Sequence, residues 1–245
     1  MRALLCAAAL LALSACSSTK VAPVVIALYV AEGVMTYEGP IRRGSFARLE
    51  VVAAAQPVHT LRISSSGGSV TEAISMARWV HARGIDVEVY GPCFSSCANY
   101  IFPAGKDKRI VGSGILGWHG SFEHRVYQHR QGETLLGKEE LAQFEAVAAQ
   151  ERAFYDDLGL NGYLPWFGKI APYRVRNMYF LSQEDMEYFG LTSLHVRADY
   201  LKSDLARWNA LEKNTLVLLK VDRAVTNASD PLWAEPRRTP VGSGL

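Results

Sequence analysis

Hydrophobic positions divide the first half of the chain into alternating strand and helix patterns. Residues 24–30 form an unbroken apolar run of strand length, and residues 34–38 offer a second strand to pair with it. Gly39-Pro40 marks a turn before a helical stretch at 46–55. Between 59 and 64, Leu61 and Ile63 fall on one face of a strand. Ser65-Ser66-Gly67-Gly68-Ser69 interrupts, and then Val70, Ala73, Ile74, Ala77 and Val80 recur at the helical period. Gly84 stands where a left-handed cap would end that helix, and Ile85, Val87 and Val89 alternate as the next strand. Residues 91–96 read as a turn, and 97–102 as a short helix stopped by Pro103 and Gly105. Residues 109–111 and 115–118 read as short strands.

Strand, helix, strand, helix, strand over residues 59–118 predicts an α/β unit with a parallel sheet, because parallel neighbours require a crossover. Beyond it, residues 138–158 predict a long amphipathic helix with Leu141, Phe144, Ala148, Tyr155 and Leu158 on one side. That helix suits either a core cap or an oligomer contact. The Trp and Tyr residues between 163 and 188 read as core or subunit contact, and residues 201–211 as a further helix. Pro231, Pro236 and Pro240, with little periodicity around them, predict an unstructured tail over 226–245.

Composition narrows the class without naming a partner. Of the 245 residues 49% are apolar and only 20% charged, which excludes global disorder, and the scattered basic residues behind a formal charge of +2 give no case for nucleic acid. The N-terminus changes the organisation. Arg2, a short apolar run and Leu13-Ser14-Ala15-Cys16 predict a secretory leader over 1–15, too short and Ala-rich to span a membrane. Leu-Ser-Ala-Cys resembles the bacterial lipobox, which would make Cys16 a lipidated N-terminus; the alternative is an ordinary cleaved leader. Residues 16–23 would then be a tether and 24–225 a periplasmic domain, held at the outer membrane because Ser17 rather than Asp follows the cysteine. Cys6 leaves with the leader, so Cys93 and Cys97 are the remaining free pair, either a disulfide or two buried thiols, in a compartment that permits the former.

Three segments carry candidate chemistry. Gly67-Gly68 lies between a strand and a helix, where main-chain N–H groups favour negative charge, although a turn with a helix cap explains it equally. Cys93-Phe-Ser-Ser-Cys97 places Ser95 and Ser96 on a strand-to-helix turn, as a nucleophile beside oxyanion donors or as helix caps. His119, in Gly117-Trp-His-Gly120, ends an apolar strand and suits a general base, with a satisfied core histidine as the alternative. All three follow strands whose C-terminal ends share one sheet edge, where α/β sites assemble. His124 and His129 read as parts of a solvated basic segment, and no metal or other cofactor is implied.

With Ser64-Ser-Ser-Gly-Gly-Ser-Val70, Ser96 before a helix, His119 and Tyr188-Phe-Gly-Leu191 in this order, the chain resembles the Clp protease proteolytic subunit within the crotonase-like superfamily. The resemblance covers residues 24–195 and is nearest to periplasmic Clp-like proteins. It implies stacked ββα units with residues 138–158 as a handle helix joining subunits into a homo-oligomer. It implies Ser96 as nucleophile with Ser95 its neighbour, in a loop one residue longer that could shift this assignment, and His119 as base. Gly68 and Cys97 would supply oxyanion N–H groups, with Gly67 the alternative for Gly68.

Two departures stand out. Met178 occupies the position of the family's acid, leaving Asn177 beside it as the candidate third member; Glu184 and Asp185 read as helix-start residues, and Lys108 is the nearest lysine for a Ser-Lys pair. Ser66 replaces the usual Pro before Gly-Gly. The implied function is an ATP-independent serine peptidase acting on a peptide or protein, with no ATPase partner. The alternatives are a thioester or activated-acyl hydrolase and a non-catalytic scaffold. A Cys93–Cys97 disulfide would close a small loop around both serines and fix that turn.

Overall fold

In the computed structural model, which describes residues 27–201 and 217–223, the N-terminal apolar run becomes β1 (Ala27–Ala31), paired antiparallel with β2 (Val34–Glu38). Helix α1 (Ser45–Ala53) follows, anchored by buried Leu49. Its first N–H groups, which lack helical partners, are met from the neighbouring helix: Gly44 N and Phe46 N both donate to the Glu72 carboxylate at 2.9 Å. Strand β3 (Thr60–Ser65) lies parallel to β2, with Leu61, Ile63 and Ser65 turned inward. Glu72 belongs to α2 (Val70–Ala82), which buries Ala73, Ile74, Met76, Ala77, Trp79 and Val80 and is ended by Gly84 at φ 61°.

Strand β4 (Asp86–Phe94) runs further than the sequence suggests, for residues 91–94 continue the strand instead of turning. Their Gly-Pro signal marks an irregularity in pairing: Ile63 opposes Val89, but Ser65 opposes Cys93. Extra residues on one strand form a bulge, and Gly91 and Pro92 lie within it. Beyond the bulge β4 changes partner. Its first half pairs with β5 (Lys108–Ile110), its last residues with β6 (Ile115–Gly117), both parallel. The turn after β4 leads into a π-helical turn, Cys97–Ile101.

After β6 the chain forms α3 (Phe122–Arg130), capped by Ser121, whose side chain accepts the His124 N–H at 3.2 Å. This segment is therefore not a solvated basic stretch: His124 and Val126 are buried, and His124 stacks on Trp166 at 5.8 Å. Helix α4 (Lys138–Leu158) packs along α3, with Phe144 edge-on to Phe122 at 4.9 Å. A 3-10 turn at Phe167–Lys169 precedes β7 (Tyr179–Phe180), α5 (Gln183–Tyr188), β8 (Leu194–Val196) and β9 (Val217–Leu218).

The result is a mixed α/β fold whose largely parallel sheet runs β1-β2-β3-β4-β5-β8, with β6 joined to β4 and a small β7–β9 pair alongside. Trp118 and Tyr179 link the two sheets through reciprocal main-chain bonds of 2.9 and 2.8 Å. Among the described residues no helix is long and apolar enough to cross a membrane. The leader and tether with Cys16, the expected helix at 201–211 beyond its first residue, and the tail at 226–245 lie outside the described residues.

Candidate active site

Strands β3, β4 and β6 end along one edge, and the residues just past them converge there. Past β3, Gly67 at φ 85° and Gly68 at φ 142° let the backbone pass against its neighbours. A Cβ on Gly67 would sit 2.5 Å from the Phe94 carbonyl oxygen, and one on Gly68 2.1 Å from that of Ile41. The Gly-Gly turn thus lies directly on the serine turn.

That turn is strained in one place. Ser95 holds φ 55°, a left-handed conformation that costs a residue bearing a Cβ about 1 kcal/mol. Its main chain is fixed on both sides: Ser95 N donates to the Gly117 carbonyl at 3.0 Å, and Asn99 N donates to the Ser95 carbonyl at 2.8 Å. A Cys93–Cys97 disulfide brackets the two serines, with Cα atoms 5.2 Å apart. Sequence reasoning left these cysteines open between two states, and the structure has the bridge.

The twisted turn decides which hydroxyl meets His119. Ser95 Oγ lies 2.7 Å from His119 Nε2, so the hydroxyl donates to the imidazole when that nitrogen is unprotonated. Ser96, expected as the nucleophile, faces the other way. It is buried, and its Oγ accepts the Gly68 N–H at 2.8 Å. The Gly68 donor, expected to be free for an oxyanion, is therefore engaged by Ser96. Gly67 N likewise donates to Ser65 Oγ at 3.1 Å. Cys97, the other expected donor, is buried in the bridge at the start of the π turn. The Ser96 main-chain nitrogen lies beside Gly67 instead, within 2.9 Å of where a Cβ there would stand.

No carboxylate orients His119 from the expected position. Met178 packs on Gly117, whose added Cβ would meet its sulfur at 2.3 Å. Asn177 is exposed, and no hydrogen bond connects its side chain with His119. Its carbonyl, with that of Arg176, instead accepts from Lys169 Nζ at 2.8 and 2.7 Å. An ammonium thus stands near His119. Although His119 is solvent-accessible, loss of surrounding water lowers its pKa below the ordinary value, and the Lys169 charge lowers it further. A hydrogen bond to its own main chain acts weakly the other way. Burial also holds the Lys169 ammonium below the usual lysine range.

The remaining candidates lie elsewhere. Glu184 and Asp185 open α5, where Asp185 Oδ2 accepts from Ser182. Lys108 Nζ donates to the Thr192 carbonyl at 3.0 Å, away from the serine turn. A buried network missed by sequence reasoning supports the site from α4. The Glu151 carboxylate accepts from Tyr100 Oη and from the N–H groups of Phe122 (3.1 Å) and Glu123 (2.8 Å). Tyr155 Oη donates to the Asn99 carbonyl, and Asn99 Nδ2 donates to that of Gly120 at 2.9 Å. These bonds tie the turn after Ser95 to the segment after His119. Glu151 could have been noticed as the lone acidic residue on α4's inward face, but Lys169 carried no signal, since only tertiary folding brings it to His119.

A pocket of about 450 Å³ opens on this pair, lined by Ser95, His119, Asn99, His124, Arg125 and Lys169 among others. No family model matches this chain, and no curated protein matches it closely enough to count as a relative. The chemistry has to come from the site's own geometry.

Proposed function

We propose that the protein is a serine hydrolase working through a Ser95–His119 dyad. The observation that carries this is the 2.7 Å contact between Ser95 Oγ and His119 Nε2 on a strained strand-to-helix turn. A lowered His119 pKa keeps the imidazole neutral and able to act as a base near neutral pH. Ser95 Oγ would bond to the substrate carbonyl carbon while its proton passes to His119 Nε2 and the carbonyl electron pair moves onto oxygen. With the nucleophile one residue upstream of the first expectation, the adjoining oxyanion donor moves likewise, from Cys97 N–H to Ser96 N–H. Collapse would expel the leaving group, which takes the proton from His119. Water, deprotonated by the same imidazole, would then release the acid and restore Ser95.

Peptide bonds are the first reading, in line with the resemblance to Clp-type proteolytic subunits and their stacked ββα units. The same proposal includes an ATP-independent activity and assembly of copies through α4. A Cys93–Cys97 disulfide supports an oxidising compartment such as the periplasm, reached as a Cys16-anchored lipoprotein. A second reading, hydrolysis of esters or thioesters, is favoured by Lys169. A cation beside His119 opposes the imidazolium on which an amide's poor leaving group depends.

A fluorophosphonate probe tests the dyad. Labelling should disappear in Ser95→Ala and His119→Ala and persist in Ser96→Ala. Loss in Ser96→Ala with retention in Ser95→Ala would return the nucleophile to Ser96. A folded wild type that takes no label would point to a non-catalytic scaffold. Peptide, ester and thioester substrates presented to a labelling protein separate the two hydrolase readings.

A further inference from the structure

The pocket beside the dyad has an uneven charge. Among the described residues its lining includes the cations Lys169 and Arg125 and no carboxylate. Two of the three Lys169 N–H donors are held by the Arg176 and Asn177 carbonyls, which leaves one for the pocket. Arg125 is exposed and has neither an ion pair nor a side-chain hydrogen bond among the described residues. Nearby carboxylates are committed elsewhere: Glu123 to Arg152, and Glu151 to Tyr100 and the start of α3.

A second observation is independent of charge. His124 Nε2 and Gln128 Oε1 belong to lining residues, are buried, and have no hydrogen-bond partner among the described residues. Buried polar groups are rarely left so, and such atoms call for a ligand or water. His124 becomes a donor there in the tautomer that protonates Nε2, and the Gln128 amide donates once turned over. A third such atom, Asn99 Oδ1, is an acceptor suited to a substrate N–H.

We propose that this pocket binds a carboxylate on the acyl substrate, held between Lys169 and Arg125 beside the Ser95–His119 pair. This inference rests on the hydrolase reading for its chemistry. It also explains how a dyad without an acid can work. Lys169 acts electrostatically on both His119 and His124, and Arg125 and His119 act on His124. A bound carboxylate offsets the cations, so the substrate supplies the negative charge that no side chain among the described residues gives His119. Substrates carrying the charge, such as peptides cut next to a free C-terminus, are thereby favoured over neutral ones.

The test uses protection of Ser95 from a neutral fluorophosphonate. N-acetyl-dialanine, with a free main-chain carboxylate, should slow labelling at least tenfold at a concentration where its C-terminal amide does not. N-acetyl-glutamate α-amide distinguishes a side-chain carboxylate as the source. Protection should fall at least tenfold in Lys169→Met and in Arg125→Gln, the latter an exposed position whose change spares the fold. Equal protection by acid and amide, or none by any of the three, overturns the inference and leaves the dyad standing.

Binding is also read without chemistry. In Ser95→Ala protein, N-acetyl-dialanine should shift the His119 and His124 ring signals in NMR spectra, and Arg125→Gln should abolish the shift. A protein that shifts but never labels keeps the carboxylate site and loses the hydrolase reading; one whose ring signals do not move loses the site.

Discussion

Ser95 carries two opposed demands, since the backbone twist that aims its hydroxyl at His119 is unfavourable for any side chain with a Cβ. Glycine accepts that twist. Ser95→Gly is therefore expected to be more stable than Ser95→Ala by about 1 kcal/mol in denaturant unfolding, although both lack the hydroxyl. Equal stabilities would mean that the turn relaxes when the serine is removed. At His119, the lowered pKa has a direct sign: the imidazole stays neutral to lower pH. The labelling rate should hold its plateau below pH 6.5, the ordinary histidine value. Lys169→Met should move the acid limb upward, and an unmoved limb would show that Lys169 does not set the base's charge. Which serine faces the base could not be read from the sequence, because either residue of a Ser-Ser pair can adopt the left-handed conformation and nothing in their chemistry marks which one does.

At the scale of elements, the site depends on α4. Glu151 is buried with three donors upon it, one from the π turn and two from the first turn of α3. Removing it leaves those donors without their acceptor. Glu151→Ala should lower stability by about 3 kcal/mol and slow Ser95 labelling, as read by chemical denaturation and probe kinetics. Stability loss without slower labelling would show that the dyad is held by the disulfide-bracketed turn alone. The elements most legible in the sequence were those with one clean apolar face: β3, α2 and α4 fall where their periodicity places them. Helix α3 was not legible, because it buries little besides His124 and Val126 among charged neighbours. The end of β4 was hidden for a different reason, since Gly91-Pro92 signals a turn in isolation and a bulge once β3 lies alongside.

For the whole molecule, the buried histidine couples the fold to acidity. His124 is held down to about 4, mainly by burial and then by Lys169, Arg125 and His119. An unfolded chain takes up that proton near 6.5, so the unfolded state binds more protons between the two values. The stability that His124 contributes is present above pH 6.5 and is lost as the pH falls toward 4, an effect of about 3 kcal/mol. His124→Phe, keeping a ring against Trp166, should flatten the unfolding free energy across this window. An unchanged slope would place the acid sensitivity on other groups.

The main-chain pairing of Trp118 with Tyr179 bears on when the site can first exist. Tyr179 is itself backed by the last described stretch: β9 pairs with β7, Leu219 N donates to the Phe180 carbonyl at 2.9 Å, and Leu219 and Val221 are buried. Ser95 and His119 are only 24 residues apart, yet the wall behind them is completed by residues more than ninety positions later. A chain growing from its N-terminus therefore carries both side chains while more than ninety further residues are added, before the strand that backs Tyr179 exists. If the dyad hydrolyses acyl bonds, the nascent chain is inert toward its surroundings until β9 has been made. The order in which the sequence lays down its parts would then do the work that a removable propeptide does for other hydrolases.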